Sequence, residues 1–301
     1  MIMKKLAYFL LIASGCLWGF IGFFQRHIVQ YNLLQPEMTF CQISVAATAL
    51  GLFILFTDKS RFKIKLKDIW CFLGTGMLSM LCLNLCYLGS MRYTTLAVSS
   101  LLLSTAPAYV IILSAILFKE KITVQKIAAL VMMLTGCVLM TGVYAGELSV
   151  SAKGLFLGVM SGVAYAMYSI FSRFAINRGY ASETISFYTF VFAGLGSLPL
   201  VDFAHLAGIM NYNVAFYELC MGVICCAAPY ILYTKGLEKV ETSLAAILAT
   251  SEPVTAALVG IIIFHEPMGW HDAAGMLLIV SSIVVININK AFFQKKHPTK
   301  A

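Results

Sequence analysis

Charge is what this chain has least of. Only 11% of its 301 residues are Asp, Glu, Lys or Arg, against about 25% in an ordinary soluble domain. With 60% hydrophobic residues and a mean hydropathy of +0.89, a water-soluble fold is excluded. Polar stretches long enough to fold separately are lacking too, so no soluble module is expected beside the membrane domain. Metal-ligand spacing is also missing. The nine cysteines lie in apolar runs without His or acidic neighbours, where Cys acts as a small buried hydrophobe.

Several partial motifs lead nowhere. In HEPMGWH, His265 and His271 are not spaced i and i+4, and Pro267 ends any helix directly after Glu266, so a loop is expected rather than a zinc site. Asp58, Asp68, Asp202 and Asp272 all fall at the ends of apolar runs, which leaves no intramembrane aspartyl pair. ASGC, Ala13 to Cys16, resembles a lipoprotein cleavage site, but the apolar run continues to Arg26, so an uncleaved first helix is expected. The pattern calls for no enzyme, metal or cofactor.

What the chain does have is a series of apolar runs of about 20 residues, the length that crosses a ~30 Å hydrocarbon core as helix. Ten spans are expected, at 6–28, 37–57, 68–89, 95–118, 124–144, 154–176, 183–202, 213–235, 242–264 and 271–289. The basic residues orient them. With the amino terminus inside, only Arg26, Arg92 and Lys153 of the 21 Lys and Arg face outward; Lys290, Lys295, Lys296 and Lys300 join the cytoplasmic majority. Both termini are therefore expected in the cytoplasm, at a cell membrane. The net charge of +8 then serves topology and inner-leaflet lipid, and nucleic acid is not an expected partner. RFKIKLKD, Arg61 to Asp68, reads as an interfacial segment.

The chain also repeats itself. SGCLWGFIGFFQR, Ser14 to Arg26, aligns with SGVAYAMYSIFSR, Ser161 to Arg173. Further on, Gly89 meets Gly236 and Thr95 meets Thr242; after a one-residue slip Pro107 meets Pro253 and Glu120 meets Glu266. Five helices per copy place the copies in opposite orientations. The expected fold is an all-α polytopic membrane protein of two inverted five-helix repeats, residues 1–146 and 147–301, the arrangement of many secondary transporters.

Pro107 with Lys119-Glu120-Lys121 in the first half, and Lys235-Gly236-Leu237, Ser251-Glu252-Pro253-Val254 and Glu266 in the second, resemble the drug/metabolite transporter superfamily, EamA type, over nearly the whole chain. That resemblance implies a proton- or exchange-driven transporter of small organic metabolites, often an exporter. It also implies a cavity lined by the fourth and ninth helices, with the fifth and tenth peripheral. Where members commonly carry Arg, Gln42 stands here, which removes a fixed positive charge.

Helical spacing supplies candidate lining residues directly. Ser14, Trp18, Ile21 and Gln25 share one face of the first helix, as Ser161, Tyr165, Tyr168 and Ser172 do in its repeat partner. Asn84 with Tyr87, Tyr230 with Tyr233, Gln42 and Ser104 complete a polar and aromatic set suited to an organic solute. Packing of helices through small and aromatic residues is the competing reading at each position. No span interior carries the Lys or Arg that phosphorylated solutes need, so a zwitterionic or neutral solute is expected, amino acids first and nucleobase- or vitamin-like aromatics second. Organic cations stay open.

Glu252 lies near the middle of the ninth span, where an ionised carboxylate costs at least ~2.5 kcal/mol. Two roles follow. It takes up a coupled proton or touches substrate, or it repairs the backbone that Pro253 interrupts by bonding the freed Ala249 carbonyl. Glu218 is expected near the outer mouth. A monomer or weak homodimer is the expected state, and a non-transporting scaffold, a channel or a lipid scramblase are the rival functions.

Overall fold

The computed structural model describes residues 2–143 and 151–287. The boundary expected at 146/147, the end of the tenth span and Lys290, Lys295, Lys296 and Lys300 lie outside them. Among the described residues, eight helices are long and apolar enough to cross a membrane: α1 (Lys4–Tyr31), α2 (Gln35–Thr57), α3 (Leu66–Tyr93), α4 (Leu96–Phe118), α5 (Val124–Thr141), α6 (Ala152–Asn177), α8 (Tyr212–Leu237) and α9 (Thr242–Phe264). Between α6 and α8 lies α7 (Ser182–Leu200), which turns by 99° into a short helix, Phe203–Ile209; the pair counts as a ninth crossing if it is one broken span. A shorter apolar helix, α10 (Trp270–Asn287), follows α9. The segments fall in the expected order, with ends shifted by a few residues. Residues 265–269 form the expected loop after α9.

Large apolar side chains point out of the bundle, among them Phe9, Phe56, Ile116, Val131 and Leu277. In a lipid solvent that exposure is favourable, and the helices must then hold together by close packing and internal hydrogen bonds. Ser14, Ser114, Ser161 and Ser282 are buried and donate to carbonyls three residues back, so each hydroxyl is satisfied within its own helix. Across Arg61 to Asp68 the chain runs from one short 3₁₀ turn, Lys59–Phe62, through extended residues into another, Leu66–Asp68.

Irregular features recur between the halves. Residues 74–81 of α3 and 222–227 of α8 wind as π-helix. α4 is interrupted at Ser104–Thr105 and α9 at Ala249–Thr250. At both interruptions the chain tightens to i−3 hydrogen bonds, Ala108 to Thr105 in α4 and Glu252 to Ala249 in α9. The hydroxyls of Thr105 and Thr250 bond Leu102 and Ile247 in matching fashion. Left-handed residues recur too: Asn32 with Gly179, and Lys119 with His265. Packing follows suit, since α1 lies along α8 as α3 lies along α6, and α10 runs beside α5.

Glycine permits the central crossings. A Cβ on Gly15 would stand 3.0 Å from the Ala249 carbonyl carbon, at the interruption of α9. One on Gly162 would stand 2.8 Å from the Leu102 oxygen, at the interruption of α4. Each half thus seats a glycine of its first helix on the broken helix of the other half.

Candidate functional site

The five aromatic residues expected from α1, α6 and α8 meet at the centre of the bundle. Trp18 lies edge-on to Tyr165 and Tyr230, with ring centroids 6.2 and 5.4 Å away, and tilted against Tyr233 at 5.7 Å. Tyr168 meets Tyr230 at 4.7 Å and Tyr233 at 5.9 Å. Such edge-to-face pairs fix ring orientation beyond what burial alone supplies. Two hydroxyls are tied down, Tyr168 to Thr234 at 2.8 Å and Tyr233 to Ser169 at 2.6 Å.

Glu252 enters this group from the interruption of α9. Tyr165 Oη donates to its Oε2 at 3.3 Å, and the carboxyl is half-buried. Tyr87 and Cys137 also lie within electrostatic reach of the carboxyl. The Ala249 carbonyl accepts from the Glu252 N–H at 3.2 Å, and the one side-chain hydrogen bond of Glu252 among the described residues is the one from Tyr165. Pro253 and Pro107 sit just beyond the two interruptions, and Pro107 lines a residual cavity of about 20 Å³ with Trp18, Tyr165, Tyr168 and Tyr233. That volume holds about one water.

The amides bond to partners other than the rings. Asn84 donates to the Met80 carbonyl at 2.8 Å, inside the π-helical stretch of its own helix. Gln42 accepts from the Cys226 thiol at 3.6 Å, beside the π-helical stretch of α8. Tyr87 bonds Ser100, and Ser104 turns back to the Ser100 carbonyl. Glu218, expected near the outer mouth, is buried, 2% exposed, and among the described residues neither of its oxygens has a hydrogen-bond partner.

Call the end of the bundle where α1 begins the proximal face. Glu120, just past α4, accepts there from the N–H groups of Thr242 (2.6 Å) and Ser243 (3.1 Å), so it caps the start of α9. Arg173 donates to Thr242 Oγ1 at 2.9 Å and to the Val240 carbonyl, and Lys126 pairs with Glu241 at 2.6 Å and Glu120 at 3.7 Å. Burial raises the Glu120 pKa, but the hydrogen bonds from Ser243 and Thr242 outweigh it and hold the carboxyl below its ordinary value. Sequence reading caught Glu120 only as a repeated helix end. A larger crevice on this face, 680 Å³, is lined by Leu6, Arg61, Tyr180, Glu183, Lys235 and Lys239, away from Glu252. Glu183 there is already held by Arg61 and Lys235, at 2.7 and 2.8 Å.

Membrane-length helices gathered around a half-buried acid and a group of aromatic rings have the architecture of a multi-pass membrane transporter. The chain belongs to the EamA-like transporter family, which matches residues 5–142 and again 152–288. It is 32% identical over 199 residues to an uncharacterized transporter of Archaeoglobus fulgidus, covering 66% of this chain and 70% of that one. It is 24% identical to the uncharacterized inner membrane transporter YicL of Salmonella typhimurium, over 92% and 94% of the two chains. A solved crystal structure superposes with a TM-score of 0.77 at 17% identity, over 97% of this chain and 99% of that one, and shows the same fold.

Proposed function

We propose that this protein is a secondary active transporter, an exporter or exchanger, that moves a small zwitterionic or neutral metabolite by alternating access. An amino acid is the first choice of solute, and a proton carried on Glu252 is the coupling ion. The chain would cross a cell membrane ten times as two inverted five-helix units, with both termini and the proximal face in the cytoplasm. One observation carries the reading: Glu252, at the interruption of α9, accepts from Tyr165, whose ring lies edge-on to Trp18, and Trp18 in turn meets Tyr230 and Tyr233. Among the described residues Glu252 enters no ion pair, so its charge is left for a proton or for the amino group of a solute. Thermal stabilisation across amino acids, nucleobases, vitamins and organic cations tests the solute class. A ligand at ~100 times its Kd adds about 2.7 kcal/mol. Counterflow of the stabilising solute in liposomes must follow. A solute that stabilises yet shows no counterflow contradicts transport, and constant conductance without counterflow identifies a channel.

A further inference from the structure

The two ends of the bundle are unequally closed. On the proximal face Val110 and Ile111 of α4 pack against Ala246 and Ile247 at the start of α9. The carboxylate of Glu120 caps that start, where Thr242 and Ser243 are 0% and 1% exposed. On the distal face the corresponding start of α4 is open, with Leu96 59% exposed. Thr95 caps Val98 there, while among the described residues no acceptor meets the N–H groups of Leu96 and Ala97.

Glu266 is the matching carboxylate. The same turn presents both acids: Lys119 and His265 are left-handed, with φ of 57° and 54°, and the N–H groups of Glu120 and Glu266 close onto Ser114 and Gly260 at 3.3 and 3.2 Å. Yet among the described residues Glu266 meets no helix start. It pairs with Arg26, the repeat partner of Arg173, with both side chains about half exposed. Exposed pairs of this kind contribute little stability, so this one is readily exchanged.

The geometry points to a reciprocal latch: when access reverses, Glu266 leaves Arg26 and caps Leu96 and Ala97 at the start of α4, as Glu120 releases Thr242 and Ser243. The assignment rests on the alternating-access reading above. The latches differ in strength. Lys126 braces Glu120, whereas the aligned position in α10 carries Asp272, an acid engaged with the Gly269 N–H at 2.8 Å. The missing cation makes the distal latch the weaker one and the proximally closed form the resting state.

Amide hydrogen exchange on the full-length protein in lipid nanodiscs tests the latch without knowledge of the solute. In wild type, Thr242 and Ser243 are protected while Leu96 and Ala97 exchange freely. Glu120→Ala should reverse this, slowing Leu96 and Ala97 by about fivefold, the shift that one typical cap produces. Adding Glu266→Ala should abolish the slowing, and Glu266→Ala alone should leave Thr242 and Ser243 protected. Glu120→Gln, which keeps an acceptor, should give a smaller change of the same sign and separates the effect from general unfolding. If Glu120→Ala protects the distal halves of α4 and α9 equally with and without Glu266, the latch is wrong while alternating access stands. If it frees the start of α9 and changes nothing at the distal face, alternating access itself is contradicted.

Discussion

Tyr165 and Glu252, 87 residues apart in sequence, meet at 3.3 Å where α6 crosses the interruption of α9. A hydroxyl that donates to a carboxylate contributes about 1.5–3 kcal/mol, which corresponds to a ten- to hundredfold effect where the pair acts in the rate-limiting state. Tyr165→Phe removes the donor and keeps the ring against Trp18. Counterflow should fall by at least about tenfold while the melting temperature moves little. Unchanged counterflow would separate Tyr165 from the site.

Trp18 touches three of the tyrosines and is 6% exposed. Trp18→Ala opens a void and should cost about 3–5 kcal/mol. Trp18→Phe keeps an aromatic face, so it should fold normally and bind solute more weakly. Isothermal titration with the stabilising solute reads the difference.

Gly15 and Gly22 lie on the same helix seven residues apart and should respond oppositely to Ala. At Gly15 the new methyl group would collide with the Ala249 carbonyl, whereas at Gly22 it meets nothing within 4 Å. Gly15→Ala should destabilise by about 1–3 kcal/mol through overpacking. Gly22→Ala should be neutral or stabilising by up to about 1 kcal/mol, the helix preference of Ala over Gly. Thermal melting of the two variants in one detergent decides it.

Glu120 has a pKa below its ordinary 4.5, so its contribution is fully present above that value and is lost as pH falls through the lower, folded-state one. Wild type should therefore lose stability on acidification below about pH 4.5. Glu120→Gln should melt lower at neutral pH, with a flatter acid limb. Parallel acid limbs in the two proteins would show that the cap contributes nothing.

Apolar run length made the helices legible, because bilayer thickness acts on each helix separately. Trp18, Tyr165 and Tyr168 were legible from a 3.6-residue face repeated in both halves. Which residues then meet depends on breaks that hydropathy does not register. The first helix tightens at Phe20, and the π-helical stretch of α3 supplies the Met80 carbonyl that occupies Asn84. Glu120 was visible as a repeated acid, but its role as a cap required the helix start it meets, 122 residues further along the chain.

The coupling role of Glu252 is tested most directly in proteoliposomes, by comparing wild type with Glu252→Gln under an imposed pH gradient. Glutamine keeps the shape and an acceptor for Tyr165 but cannot exchange a proton. Wild type should accumulate the solute against its gradient, and Glu252→Gln should retain counterflow while losing pH-driven accumulation. Full pH-driven accumulation by Glu252→Gln would contradict the assignment.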